Sequence, residues 1–232
     1  MFNFLKLKYK IIFEKKISYS YGGIDALINN IFKKQNSGFY VDVGCNHPIK
    51  NNNTYLLFKK GWNGVNIDVD PKNIEIFNYA RPKDENINIA VSDKKGFEDL
   101  YFYHDNSAIN TLDESVSKYQ QAKISKIKQV KTLTLNEILD KTSYKNIKID
   151  FLSIDVEGSE MKVLMNFNFS KYLPKVIVVE FLDLSLMNLE IKNLNIENVI
   201  KSDLYKFMVS NNYILSNWLH SDLVFINKNF SD

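Results

Sequence analysis

Short runs of aromatic and β-branched residues recur along the chain, separated by segments whose apolar residues return every three or four positions. The first run, Phe39 to Val43, reads Phe-Tyr-Val-Asp-Val and suits a strand buried on both faces of a parallel sheet. Ahead of it, Ile24, Leu27, Ile28, Ile31 and Phe32 fall at i, i+3, i+4, i+7 and i+8. That spacing predicts an amphipathic helix over 24–34 covering one face of the sheet. Gly44-Cys45-Asn46 ends the strand, and Tyr55, Leu56 and Phe58 give helical spacing to Asn53–Lys60. Gly61-Trp62-Asn63-Gly64 turns into a second strand, Gly64 to Asp68. Pro71 then suits the first position of a helix running through Ile74, Ile76 and Phe77, with Asp70 as its cap.

Farther along, Asn86 to Val91 reads as a third strand, Ser92 to Gly96 as a turn, and Phe97 to Tyr103 as a further strand. The polar stretch His104 to Thr111 is a loop at the mouth of any site, and 112–128 reads as loosely helical. Gln129–Leu133 and Ile149–Asp155 are strands; Leu135–Leu139 is a helical turn or two, and Met161, Val163, Leu164 and Phe167 mark a helix. Val176–Glu180 is another buried strand, 199–209 a helix, and Tyr213–Leu215 with Leu223–Ile226 a closing antiparallel pair. Strands alternating with helices, without repeat or linker, predict one α/β domain over residues 21–232 with a parallel-dominated sheet.

Composition narrows the function. The 232 residues suffice for one sizeable core, and the net charge of +3 comes from interspersed lysines and acids. No basic stripe of the kind that binds nucleic acid is present. The single cysteine, Cys45, excludes an internal disulfide and a cysteine-based zinc site, and a cytoplasmic location is the default. No apolar run reaches the roughly 18–20 residues of a membrane span. Residues 1–20 form an N-terminal extension mixing lysines with Phe, Leu and Ile. It reads as packing on the domain or on a second copy of the chain, the alternative being a segment on a membrane surface.

In an open α/β sheet, ligands bind outside the carboxyl ends of the strands. Asp42, Asp68, Asp155 and Glu180 all stand at or near such ends, so the topology would bring these acids to one edge. Gly44 removes a side chain where a ligand approaches the backbone. Asp68 can accept hydrogen bonds from the two hydroxyls of a ribose. The turn Gly44-Cys45-Asn46-His47-Pro48-Ile49 is not G-x-G-x-x-G, and Pro48 deletes an N–H that a phosphate would use. A ribose-containing cofactor without phosphate is favoured over a dinucleotide, and no P-loop is present.

Val41-Asp42-Val43-Gly44-Cys45-Asn46 with Asn53-Thr54-Tyr55, Gly61 to Asp68, Ala90-Val91-Ser92-Asp93 and Ile149 to Glu160 together resemble the FkbM-type family of S-adenosylmethionine-dependent methyltransferases. The resemblance runs from about Tyr19 onward, and Ile154-Asp155-Val156-Glu157-Gly158-Ser159-Glu160 is its most specific piece. It implies the Rossmann-like class I methyltransferase fold, seven mostly parallel strands with helices on both faces. It further implies methyl transfer to a hydroxyl, commonly of a sugar or glycan precursor.

Carried over by position, the resemblance puts Asp42, Gly44, Cys45, Asn46, Asn53, Thr54, Asp68, Asp93 and Asp155 at the S-adenosylmethionine site. Gly44 and Asn46 would line its methionine part, Asp68 hold the ribose and Asp93 meet the adenine. Cys45, His47 and Pro48 depart from the usual family pattern. A hydroxyl acceptor needs a general base: Asp155 or Glu180, with Glu157 orienting the substrate or ligating a metal. His47 and His104 are weaker candidates. A divalent metal such as magnesium on Asp155 and Glu157 would acidify the acceptor, although the sequence does not show a third ligand. Tyr101, Phe102, Tyr103, Tyr119 and Trp218 are aromatic candidates for stacking on a sugar. The competing readings are an NAD-dependent oxidoreductase, which also uses an acid after its second strand, and a non-catalytic module of the same fold.

Overall fold

The computed structural model describes residues 18–105, 107–119, 123–182 and 195–230. Most of the N-terminal extension, and with it the choice between packing and membrane contact, lies outside the described residues. Among those described, no helix is long and apolar enough to cross a membrane.

Among the described residues, ten strands form two sheets. In chain order they are β1 (Phe39–Val43), β2 (Asn63–Asp68), β3 (Glu85–Asn88), β4 (Ala90–Val91), β5 (Gly96–Phe102), β6 (Lys126–Leu133), β7 (Phe151–Ile154), β8 (Val176–Glu180), β9 (Tyr213–Leu219) and β10 (Asp222–Asn227). The larger sheet has seven strands in the order β3-β2-β1-β7-β8-β10-β9. The first five are parallel; β10 runs antiparallel to both β8 and β9. This is the seven-stranded, mostly parallel arrangement that the resemblance implies. Because strand order reverses beside β1, the crevice outside the ends of β1, β2 and β7 is the topological switch point at which such sheets bind ligands.

Side-chain alternation explains the two cores. Tyr40, Phe151, Val176, Val178 and Val224 face one way and pack with Ile24, Ile28 and Phe32, the apolar stripe of α1 (Ile24–Ile31). Val41, Val43, Val65, Ile67, Leu152, Ile154, Ile177 and Val179 face the other way into the larger core. Helices α2 (Tyr55–Lys59) and α3 (Pro71–Ala80) follow β1 and β2. Asp70 caps α3 by accepting the Lys72 N–H at 3.0 Å, with Pro71 in the first turn, as its position predicts.

Several elements depart from the sequence reading. The run 86–91 is two strands: β3 stays in the large sheet, while Ala90 and Val91 cross to a second sheet of order β4-β6-β5. Among the described residues of 112–128 there is one short helix, α4 (Glu114–Tyr119); β6 already begins at Lys126, paired along the whole of β5. Its lysines, Lys126, Lys128 and Lys131, fall on both faces, and every position before Thr132 is exposed or half-buried, so no apolar alternation marks the strand. After α5 (Leu135–Leu139), α6 (Glu160–Met165) and α7 (Phe169–Tyr172), the single helix expected over 199–209 is a pair, α8 (Ile196–Lys201) and α9 (Asp203–Ser210). Ser202 breaks it, with extended backbone and a hydroxyl that caps α9 at the Tyr205 N–H.

Candidate active site

The turn after β1 folds onto the end of β2. Gly44 and Cys45 both donate their N–H to the Ile67 carbonyl, and Asn46 donates its N–H to Asp68 Oδ2 at 2.9 Å. Asp68 Oδ1 accepts the Asp70 N–H at 2.7 Å. The carboxylate is thus held by backbone from two sides, with lone pairs on both oxygens left for further donors. Burial pushes its pKa up to about 6, against the opposing pull of these N–H bonds. Gly44 has φ +78°, and a Cβ there would stand 1.7 Å from the Asp155 carbonyl oxygen. The missing side chain makes room for the turn after β7, while the Gly44 backbone lines the cleft described below.

The floor beneath this turn is built on Arg81, the only arginine of the chain. It is fully buried. Nε and one terminal nitrogen donate to the Pro48 carbonyl, and the fork reaches Thr54 Oγ1 at 2.8 Å and Asn52 Oδ1 at 2.6 Å. Asp42 Oδ2 accepts from Asn52 Nδ2 and Thr54 Oγ1. Four of the residues expected at the cofactor therefore do not line the cleft described below. Asp42 points to the opposite face of the sheet from Val41 and Val43, as period-two alternation requires, and joins the Arg81 network. Thr54 belongs to the same network. Asn53 donates to Ser153 Oγ at 3.2 Å, and the Cys45 side chain is buried against Ile74 and Phe77, where burial pushes its thiol pKa well up. His47 is a turn residue: its Nδ1 accepts the N–H groups of Ile49 and Lys50, each at 3.0 Å.

Across the cleft, the ends of β7 and β8 carry a cluster of acids. Asp155 follows β7, its N–H bonded to the Val43 carbonyl. Glu157 adopts a left-handed φ of 55°, costing about 1–2 kcal/mol for a non-glycine residue; its carbonyl is clamped by Thr111 Oγ1 at 2.6 Å. Gly158 takes φ +101°, and a Cβ there would press within 2.4 Å of Val116 on α4. Glu160 Oε1 accepts the N–H groups of Val156 and Gly158 at 3.0 and 3.1 Å. This turn is held from inside by Glu160 and from above by the segment between β5 and β6. Asp155, Glu157 and Glu180 each offer a carboxylate oxygen within 4.8 Å of the others'. Asp222 lies directly across from Glu180 in the sheet register. Burial first, then the neighbouring acids, raises the pKa of Glu180 and of Asp222, the latter to about 8.

An open cleft lies between these two sides, enclosing about 560 Å³ of space that is continuous with solvent. Val43, Gly44, Asn46, Ile67 and Asp68 form one wall, and Asp155, Val156 and Glu157 another. Ile89, Ala90 and Val91 continue the lining, and Ser107, Ala108, Asn110 and Leu112 close it from the loop after β5. Gly44, Asn46, Asp68, Asp155 and Glu157 are thus brought together, and the 104–111 loop sits at the mouth as its polarity predicts. Asp93 lies past the lining segment Ile89–Val91 and does not reach the cleft, nor does exposed His104. Tyr101, Phe102, Tyr103 and Trp218 are also absent from the lining, and the Tyr119 side chain lies outside the description. Sequence reasoning missed Arg81, Glu160 and Asp222. A lone arginine amid so many lysines is a signal that could have found the first; Glu160 and Asp222 depend on tertiary geometry.

The sequence model of the family described as the methyltransferase FkbM domain matches residues 42–207. The chain belongs to the FkbM methyltransferase family. No curated protein matches it in sequence. Among solved structures, a TehB-like S-adenosylmethionine-dependent methyltransferase from Corynebacterium glutamicum is 12% identical, with a TM-score of 0.45, over 97% of this chain and 96% of its own. Monomeric WbdD is 10% identical with a TM-score of 0.45, covering 95% of this chain and 44% of that one. A Methanococcus maripaludis protein described as an S-adenosyl-L-methionine-dependent methyltransferase is 12% identical with a TM-score of 0.35, over 94% and 98%. In this FkbM methyltransferase the matched segment spans the strand ends that carry Asp42, Asp68, Asp155 and Glu180, and the loop that closes the cleft.

Proposed function

We propose that this FkbM methyltransferase moves the methyl group of S-adenosylmethionine to a hydroxyl oxygen of a sugar or glycan precursor in the cytoplasm. The observation that carries the reading is the charge of the cleft. Among its described lining residues stand Asp68, Asp155 and Glu157, and no lysine, arginine or histidine. A sulfonium is attracted by such a wall; the pyrophosphate of a dinucleotide is repelled by it, which argues against the NAD-dependent alternative.

The residues fit the cofactor. Asp68, fixed by two backbone N–H groups, presents free lone pairs to the ribose hydroxyls. Asn46 and the Gly44 turn lie beside it for the methionine part, and Ile67, Ile89, Val91 and Leu100 line an apolar slot for the adenine. When bound, S-adenosylmethionine supplies a methyl carbon whose bond to sulfur breaks with the electron pair leaving on sulfur. Asp155 stands at the far wall and takes the proton of the attacking hydroxyl onto its carboxylate, so the oxygen gains the methyl group as it loses hydrogen. Ser107, Asn110 and Leu112 close over the reacting groups, limit water and contribute to acceptor choice. Holding donor and acceptor in line accounts for several kcal/mol of the barrier, about 7–11 kcal/mol at best.

The test is a calorimetric titration with S-adenosylmethionine, followed by transfer of a labelled methyl group to a panel of sugar acceptors. Saturable binding that is lost in Asp68→Ala is expected. So is base-stable label, because a methyl ether survives mild alkali and a methyl ester does not. Asp155→Asn is expected to bind the cofactor and transfer no methyl. Absence of cofactor binding by folded wild type would remove the reading and bring the non-catalytic module forward.

A further inference from the structure

Asp155, Glu157 and Glu180 are placed as the ligands of one ion would be. Each contributes a carboxylate oxygen within 4.8 Å of the others'. For oxygens at about 2.1–2.5 Å from a common centre, the largest mutual separation is about 4.2–5.0 Å. The three therefore span one cation with little adjustment. A cluster of acids alone would mean little, because acids gather at strand ends for other reasons.

Glu180 supplies the independent observation. Its residue is 8% exposed, and its Oε2 is buried with no hydrogen-bond donor. A buried carboxylate oxygen normally finds an N–H, a hydroxyl or a cation. Glu160, in the same cluster, shows the ordinary solution, with two backbone N–H groups on one oxygen. Asp222 faces Glu180 across the strands and adds to the negative field. Asp155, Glu180 and Asp222 form no ion pair with a lysine, arginine or histidine among the described residues.

We propose that Asp155, Glu157 and Glu180 bind a hard divalent cation of the magnesium or calcium class at the edge of the cleft. The all-oxygen donor set selects such an ion over zinc or copper, which favour nitrogen and sulfur. Three carboxylates leave coordination positions for water or a substrate oxygen. On the methyl-transfer reading above, on which this part alone rests, an acceptor hydroxyl takes one of them. There it is oriented and acidified, while the second oxygen of Asp155 remains available for its proton.

The test uses the full chain without S-adenosylmethionine and Mn2+ as a paramagnetic probe. Loss of the free Mn2+ signal in electron paramagnetic resonance should saturate at one ion per chain, and Mg2+ or Ca2+ should displace it. Glu180→Gln should weaken binding about tenfold or more, Glu157→Gln should also weaken it, and Asp203→Asn, on an exposed helix, should leave it unchanged. If Glu180→Gln does not fold, Glu157→Gln carries the comparison. Wild type without saturable uptake, or both ligand variants binding as wild type does, would overturn the cation site. S-Adenosylhomocysteine affinity is measured in parallel without metal. Cofactor binding without Mn2+ uptake sinks the cation alone, and Mn2+ uptake without cofactor binding sinks the methyl-transfer reading alone.

Discussion

Replacing Arg81 by lysine keeps a positive charge and removes a planar fork, so it isolates what the guanidinium geometry contributes. Nε and a terminal nitrogen share the Pro48 carbonyl, while Thr54 Oγ1 and Asn52 Oδ1 accept at 2.8 and 2.6 Å. The Tyr55, Phe58 and Phe77 ring centroids lie 5.4, 5.2 and 5.0 Å from the guanidinium carbon. A lysine ammonium is compact and cannot reach three divergent acceptors from one position. At least one buried acceptor is then left without a donor, costing about 1–3 kcal/mol. Loss of the ring contacts adds about 1 kcal/mol. The expected destabilisation is about 3 kcal/mol. At roughly 2–4 °C per kcal/mol for a chain of this size, that is a fall in Tm of about 6–12 °C. Urea unfolding monitored by circular dichroism checks it, with the slope unchanged and the midpoint lowered. Because Arg81 supports the turn that carries Asn46, S-adenosylhomocysteine affinity should fall as well. A stability loss below about 1 kcal/mol would refute this account of the cleft floor.

Asp68 titrates with opposite consequences for binding and for folding. If only its carboxylate accepts the ribose hydroxyls, a pKa of about 6 means that S-adenosylhomocysteine affinity at pH 5 is about tenfold below that at pH 7.5. Asp68→Asn should abolish that dependence, and calorimetry at the two pH values checks it; an unchanged slope in the variant would refute the assignment. For the ligand-free fold, the native pKa lies above the unfolded value, so the contribution of Asp68 to stability is present below about pH 4 and lost as pH rises through about 6. Ligand-free wild type should therefore lose up to about 3 kcal/mol of stability from this group between pH 4 and pH 7, as denaturant titrations would read. In Asp68→Asn that pH dependence should vanish, at the cost of one of the two backbone N–H bonds. Gly44→Ala combines a strained φ of +78° with a Cβ 1.7 Å from the Asp155 carbonyl. It should cost more than about 3 kcal/mol or prevent folding, and a melting curve like that of wild type would contradict the packing described.

The large sheet was legible because its strands are buried on both faces, so their sequences are nearly continuous apolar runs: Phe39–Val43 and Val176–Glu180 are buried at every position. The second sheet was not. Along β6, Lys126, Lys128 and Lys131 fall on both faces of a strand that is exposed or half-buried at every position before Thr132, and lysine has no strand preference to announce it. Site residues divide the same way. Asp68 and Asp155 were legible because a strand-terminal acid reaches the crevice whatever the details of packing. Asp42, Thr54 and Asn53 carry equally suggestive motif positions, but side-chain direction and the Arg81 network turn them inward. Only tertiary pairing, with Asp222 opposite Glu180 and Glu160 folded back on its own turn, brings the rest of the acid cluster into view.

The distribution of donors separates structural acids from those kept for chemistry. Asp42 has Asn52 and Thr54. Asp84 has the Tyr40 hydroxyl, the Gly64 N–H and Asn66. Asp150 takes the Phe39 N–H at 2.9 Å and pairs with Lys175 at 2.6 Å. Each of these carboxylates is satisfied, and each sits away from the cleft. At the ends of β7 and β8 the pattern reverses: Glu180 keeps an unpartnered buried oxygen beside Asp155, with Asp222 across the strand. A fold selected for stability alone would place amides or apolar residues there, since a buried carboxyl whose side-chain hydrogen bond is to another acid, Asp155, and whose Oε2 has none is costly to hold. That the cost falls at the sheet edge where the cleft opens, and nowhere along the satisfied interior acids, ties the strain to what the cleft binds.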